Sequence, residues 1–212
     1  MEIRNFKYIP MKIALKNLMT LKIQENIPLA PYTTFKIGGP AKYFFIAQTR
    51  EDIINAIETA QELKLPYYIL GGGSNLLVSD NGYDGLVIKV ATAGCCQKEN
   101  MLLCEAGLSL SQLIMNAQKV GLGGMEFMAG IPGTVGGAVY GNAGAWGREF
   151  GELVQEADIY KEGQIKKLSQ ADLGFVYRGC ALKKSGGVIL NIAIMLIKRR
   201  AQDIQKEVVE II

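Results

Sequence analysis

Two glycine-dense runs hold most of the chemistry that this chain could perform. The first is Gly71-Gly72-Gly73-Ser74-Asn75, and the second is Gly130-Ile131-Pro132-Gly133-Thr134-Val135-Gly136-Gly137-Ala138-Val139-Tyr140-Gly141-Asn142-Ala143-Gly144-Ala145. Without a Cβ, glycine lets the backbone approach an anionic ligand closely and take positive φ, so that successive N–H groups can form an anion-binding concavity. Pyrophosphate is the ligand such runs suit. The first run fails the G-x-G-x-x-G pattern because Leu76 stands at the third glycine position, and no G-x-x-x-x-G-K-[ST] run occurs. Neither a Rossmann nor a P-loop site is supported, and alone the first run reads equally as a plain tight turn and as a phosphate cradle. In the second run Thr134, Tyr140 and Asn142 are interleaved with glycines, which suits a ligand lying along exposed backbone better than packing alone.

Other chemistries are excluded by composition. The chain of 212 residues has no histidine, which removes histidine-based triads, proton shuttles and metal ligands. Its cysteines, Cys95, Cys96, Cys104 and Cys180, lack the paired C-x-x-C spacing of a zinc site, and buried thiols in a reducing cytosol are the favoured reading. No metal is expected. A net charge of +3 makes no case for nucleic acid, and Lys198-Arg199-Arg200 reads as a solvated helix entry. The longest apolar stretch, residues 188–197, is interrupted by Asn191 and is half the roughly 20 residues a membrane span needs, so it is expected as a buried strand. Charges throughout the first twenty residues leave no apolar signal core, and no secretion is predicted.

The elements that must position the glycine runs follow from periodicity. Ile53, Ile54, Ile57, Ala60 and Leu63 recur at helical spacing behind the possible cap Thr49 and ahead of Pro66, which predicts a helix over 51–65. Tyr67-Tyr68-Ile69-Leu70 and Leu86-Val87-Ile88 are β-prone runs on either side of the first glycine run, giving strand, glycine turn, strand. A second block repeats the alternation: a strand over 101–104, then a helix over 109–120 with Leu110, Leu113, Ile114 and Ala117 on one face. Residues 121–151 show almost no periodic pattern. Residues 153–160 and 164–168 read as a hairpin turning at Glu162-Gly163. A helix is predicted from 201, with Ile204, Val208, Val209 and Ile212 on a face that nothing is expected to cover. The fold class is α+β in two adjoining halves, divided as an N-terminal extension (1–20), a first half (21–92), a second half (93–197) and the start of a further domain (198–212).

Taken together the runs resemble the UDP-N-acetylenolpyruvoylglucosamine reductase family. The match lies in the Asn26-Ile27-Pro28-Leu29-Ala30-Pro31-Tyr32-Thr33-Thr34-Phe35-Lys36-Ile37-Gly38-Gly39 run, residues 70–77, residues 130–147 and Phe175-Val176-Tyr177-Arg178. The resemblance implies a fold like the vanillyl-alcohol-oxidase flavoproteins, with FAD extended between two α+β subdomains. By carry-over, Gly71, Gly72, Gly73, Ser74, Asn75 and Leu76 would hold the FAD pyrophosphate. Ile131, Pro132, Gly133, Thr134, Gly136, Gly137, Ala138, Gly141 and Asn142 would line the flavin, with bare main-chain amides as the gripping groups.

The implied reaction is FAD reduction by NADPH, followed by hydride transfer to the enolpyruvyl double bond of a UDP-linked sugar, a step of peptidoglycan synthesis. Arg178 matches the family's catalytic arginine, whose permanent charge and two-pronged grip suit a carboxylate beside a developing negative charge. Tyr177 would be a substrate-side hydrogen-bond donor or a strand residue filling core, the latter favoured. Cys180 stands where the family often has serine. The short connection after Arg178 and the Gly141-Asn142-Ala143-Gly144-Ala145 run resemble the second type of the family.

The family's general-acid serine lies in a third, substrate-binding domain, and nothing in residues 186–212 resembles the Gly-Ser-Phe-Phe-Lys-like stretch that carries it. FAD binding with poor turnover is therefore expected of a cytoplasmic monomer without nucleic-acid or membrane partners. The competing readings are a flavin oxidoreductase of the same superfamily with another substrate, a catalytically dead flavin-binding module and a nucleotide-free structural protein.

Overall fold

The computed structural model describes residues 22–212; the expected N-terminal extension lies outside them. The chain forms two compact units, one ending at Ala91 and the other spanning Thr92–Ile212.

The first unit contains β1 (Gln24–Pro28), β2 (Pro40–Ala47), α1 (Arg50–Glu62), β3 (Tyr67–Leu70) and β4 (Tyr83–Val90). Its sheet runs β1-β2-β4-β3, with β1 antiparallel to β2 and the other three strands parallel. Leu86, Val87 and Ile88 are consecutive and all buried, as expected of a central parallel strand covered on both faces. The predicted cap of α1 is present in full: Asp52 N–H donates to Thr49 Oγ1 at 3.0 Å, and Thr49 N–H donates to Asp52 Oδ2 at 3.0 Å. Ile53, Ala56, Ile57 and Ala60 are buried along the inner face of the helix. A core of Leu29, Ala41, Phe44, Leu70 and Val87 lies against Tyr32, whose ring sits 4.6 Å from that of Phe44.

The second unit contains β5 (Cys95–Lys98), β6 (Met101–Glu105), α2 (Leu110–Lys119), β7 (Leu122–Gly123), α3 (Val135–Gly141), β8 (Gly144–Ala145), β9 (Arg148–Glu149), β10 (Val154–Lys161) and β11 (Gln164–Ser169). It continues with α4 (Gln170–Leu173), α5 (Leu182–Ser185), β12 (Val188–Met195), β13 (Ile197–Lys198) and α6 (Ala201–Ile211). Five strands form an antiparallel sheet in the order β11-β10-β12-β6-β5. The β10–β11 hairpin turns at Glu162 and Gly163, both at positive φ. Ser109 caps α2 with Gln112, and Leu110, Leu113, Ile114 and Ala117 are buried, as the periodicity predicts.

The C-terminal helix departs from expectation. Ile204 is buried, and α6 packs on α2 and on the short helical turn Glu126–Met128. Arg199 does not belong to a solvated basic run: its guanidinium bonds Glu126 at 2.9 Å and Glu207 at 2.7 Å, and Glu126 is only 2% exposed. A buried carboxylate needs such a partner, and that pairing anchors the helix. Only the far end of the predicted apolar face, Val209 and Ile212, stays open.

Candidate functional site

In the first unit the glycine turn, residues 71–75, leaves the carboxyl end of β3. In open sheets ligands collect beyond the carboxyl ends of parallel strands. Gly73 has φ +67, and a Cβ on it would lie 2.0 Å from the Tyr32 carbonyl oxygen. Only glycine fits there. The Thr34 amide donates to the Gly73 carbonyl at 3.0 Å, so the Tyr32-Thr33-Thr34 stretch braces the turn from outside. Thr33, itself buried, donates its hydroxyl to the Ile37 carbonyl at 3.0 Å and closes that brace. Lys89, on β4 opposite Leu70, donates its ammonium to the Gly71 carbonyl. Burial pushes the Lys89 pKa down, the direction expected of a desolvated ammonium. Among the described residues no acceptor takes the amides of Gly72 or Gly73.

In the second unit the glycine segment is a helix where none was legible. Thr134 caps α3, accepting from the Gly137 amide at 3.3 Å. The amides of Val135 and Gly136 go to the carbonyls of Leu108 and Ala106, each at 2.8 Å, and that of Ile131 goes to Met128. The bare amides expected here are therefore not bare. Seven residues with three glycines make a weak helix, and contacts to neighbouring segments hold it. The glycines divide by role: a Cβ on Gly136 would meet the Ala106 Cβ at 2.8 Å, whereas one on Gly141 would meet nothing within 4 Å and one on Gly137 only Thr134 Oγ1 at 3.4 Å. Gly137 and Gly141 stand one turn apart on the same helix face. They contribute no side chains to that face, and a Cβ at either would meet little; such a shelf suits a flat aromatic ring. Ala138 points inward and is buried, while Pro132 is exposed and Ile131 and Gly133 are half-buried at the segment's entry.

Asn142 ends α3 at φ +42 and is 1% exposed. Its side chain donates to Glu149 at 2.6 Å and to the Val176 carbonyl at 3.0 Å, and accepts from the Gly151 amide at 2.9 Å. Asn142 is thus a buried tie between the shelf and the segment carrying Arg178. That segment is a two-residue turn: Val176 and Gly179 exchange both backbone bonds, with Tyr177 and Arg178 at the tip. Arg178 adopts φ +60, an uncommon conformation for a residue with a side chain, and such outliers persist where surroundings hold them. One holder is Lys183, which donates to the Arg178 carbonyl at 2.6 Å. The Arg178 guanidinium lies 5.6 Å from the Tyr177 ring centroid, and no carboxylate pairs with it among the described residues. Tyr177 is 80% exposed, which corrects the core reading: at a turn tip the side chain has nothing to fill. Cys180 is buried, and burial pushes its thiol pKa up, the environment of an inert thiol.

Sequence reasoning missed Tyr32, Thr34, Lys89 and Lys183. The first two lay inside a motif whose role it did not assign, and the lysines carry no local signal. It also took all cysteines as buried, whereas Cys96 is exposed and Cys95 half-buried.

Comparison with known proteins bears on both regions. Residues 41–169 match the FAD binding domain family. The chain is 38% identical over 205 residues to the UDP-N-acetylenolpyruvoylglucosamine reductase of Lachnoclostridium phytofermentans, covering 93% of this chain and 66% of that protein. It is 40% identical over 179 residues to the reductase of the same name from Clostridium novyi, covering 84% and 58%. The crystal structure of UDP-N-acetylenolpyruvylglucosamine reductase from Thermus caldophilus superposes with a TM-score of 0.77 at 33% identity, over 89% of this chain and 68% of that one. Alkyldihydroxyacetonephosphate synthase, at 14% identity and a TM-score of 0.64 over 93% of this chain and 43% of its own, shares the fold alone. The chain spans about three fifths to two thirds of the length of the curated relatives it matches.

Proposed function

The chain belongs to the UDP-N-acetylenolpyruvoylglucosamine reductase family, and from that premise we propose that it is the FAD-binding part of a peptidoglycan-synthesis reductase. When bound, FAD would accept a hydride from NADPH and pass it to the enolpyruvyl double bond of a UDP-linked sugar. The residues of this chain do the rest. Gly72 and Gly73 offer amides to the diphosphate at the end of a parallel strand, while Ser74, Asn75 and Leu76 complete the turn that aims them. The open faces of Gly137 and Gly141, with Ile131, Pro132 and Gly133 at the segment's entry, accept the planar ring; Thr134, Gly136, Ala138 and Asn142 hold that shelf in shape from beneath.

Arg178 is the catalytic cation. A guanidinium that no carboxylate pairs among the described residues, held at a turn tip in a strained backbone conformation, can grip the substrate carboxylate and offset negative charge that grows beside it. Tyr177, exposed next to it, is placed to donate to the substrate. NADPH and the nucleotide sugar are polyanions that do not leave the compartment that makes them, which supports a cytoplasmic location. A near-neutral net charge of +3 makes no case for a nucleic-acid partner. Its product would feed wall growth, and hence cell shape and division.

The observation that carries this reading is the shared tie: Asn142 joins the smooth glycine shelf to the turn of Arg178. Titration tests it. Purified chain should take up one FAD, seen by quenching of flavin fluorescence, and Arg178→Ala should take up FAD equally well. Failure of the chain to take up FAD at all would overturn the reading.

A further inference from the structure

Three of the four cysteines, Cys95, Cys96 and Cys104, lie close in the sequence, and the hairpin of β5 and β6 brings two of them together. Cys95 and Cys104 are directly opposed in the antiparallel register. The Glu105 amide donates to the Gly94 carbonyl at 2.8 Å, so Gly94 and Glu105 form a hydrogen-bonded pair and Cys95 and Cys104 the non-hydrogen-bonded pair next to it. In such pairs the Cα atoms approach to about 4.5 Å and the side chains lie close, within the window a disulfide spans. The Sγ atoms are 3.4 Å apart, and an approach of about 1.4 Å would bring them to bonding distance. Cys104 is 2% exposed and Cys95 half-buried, so solvent reaches one sulfur and not the other. Strand alternation sends Cys96 to the opposite face of the sheet, opposite Leu103.

We propose that Cys95 and Cys104 form a peroxide-sensitive dithiol that closes reversibly to an intramolecular disulfide. Cys95 is the attacking group. Hydrogen bonds with the Cys104 sulfur and the Asn116 side chain draw its pKa down to about 7 against the opposing effect of burial; a thiolate is the nucleophile in this chemistry. The Cys95 sulfur attacks one oxygen of hydrogen peroxide: an S–O bond forms, the O–O bond breaks, and the departing hydroxide takes the thiol proton as water. The Cys104 sulfur then attacks the resulting sulfenic acid. The S–S bond forms, the S–O bond breaks, and hydroxide leaves with the Cys104 proton as a second water. Two thiols lose two electrons and two protons while one peroxide is reduced to two waters. A dithiol reductant reverses the bridge by exchange.

The bridge would sit at the sheet edge, two residues before Ala106, whose carbonyl holds the Gly136 amide at the start of α3. Its formation needs no assumption about the cofactor.

Peroxide treatment of the full chain, followed by thiol titration and non-reducing peptide mass mapping, tests the proposal. Of four thiols, two should disappear, with a Cys95–Cys104 linked peptide about 2 Da lighter than the sum of its parts, all restored by dithiothreitol. Cys96→Ser should leave that linkage intact. Cys104→Ser should leave Cys95 as a sulfenic acid that dimedone traps. A titre that stays at four, a vicinal Cys95–Cys96 bridge, or loss of thiols only through intermolecular Cys96 linkage would overturn it.

Discussion

The two glycine-dense regions look alike as strings of residues and differ in why they need glycine. At residues 71–75 the backbone itself is the reason: Gly73 takes φ +67, pressed against the Tyr32 carbonyl, and among the described residues its own amide and that of Gly72 have no protein acceptor. In α3 the amides are already used, by Leu108, Ala106 and Thr134, and what sets Gly137 and Gly141 apart is the surface they leave uncovered. In the proposed reading one region offers hydrogen-bond donors to an anion and the other a flat face to a ring.

Substitutions that add one methyl group separate the two cases. The largest effect is expected at Gly73→Ala, where a Cβ meets backbone that cannot yield and φ is unfavourable: about 3 kcal/mol or more of stability should be lost in urea unfolding, with FAD uptake abolished. Asn142→Ala comes next. It strands the Gly151 amide and takes one hydrogen bond each from Glu149 and the Val176 carbonyl, and should cost about 1–3 kcal/mol by the same measurement. Gly141→Ala breaks the symmetry of the comparison. Its methyl meets no protein atom, so stability should hold or rise by about 0.5–1 kcal/mol, while FAD affinity falls about tenfold, roughly 1.4 kcal/mol, by fluorescence titration. Equal losses of fold at Gly73 and Gly141 would erase the distinction.

A last effect falls on the turn that Asn142 ties to the shelf. Arg178→Gly removes the side chain from φ +60 and should raise stability by about 1 kcal/mol. FAD uptake should be unchanged, and reoxidation of the reduced flavin by the enolpyruvyl sugar nucleotide should be lost. A variant that is no more stable, or that keeps that reoxidation, would remove Arg178 from the site.

What was legible in the sequence follows the range of the forces involved. The helices at Thr49 and Ser109 and the hairpin at Glu162-Gly163 are set by residues three or four positions apart, and all three stand where their caps and turn residues put them. Helix α3 was hidden because glycine weakens any local helical signal; its cap and the Ala106 and Leu108 carbonyls supply what propensity does not. The β3–β4 connection reads as strand, glycine turn, strand from sequence, yet only the register shows the pair to be parallel. Tyr177 was misjudged because an aromatic between Val176 and Arg178 has the composition of a strand, while the turn that exposes it depends on the distant Asn142. The pairing of Arg199 with Glu126, and of Cys95 with Cys104, joins residues whose partners no local pattern announces.

Amide hydrogen exchange with and without FAD tests the central contrast residue by residue. On adding FAD, the amides of Gly72 and Gly73 should gain protection, while those of Val135 and Gly136, already bonded to protein carbonyls, should change little. Strong new protection at Val135 and Gly136 with none at Gly72 and Gly73 would contradict the account.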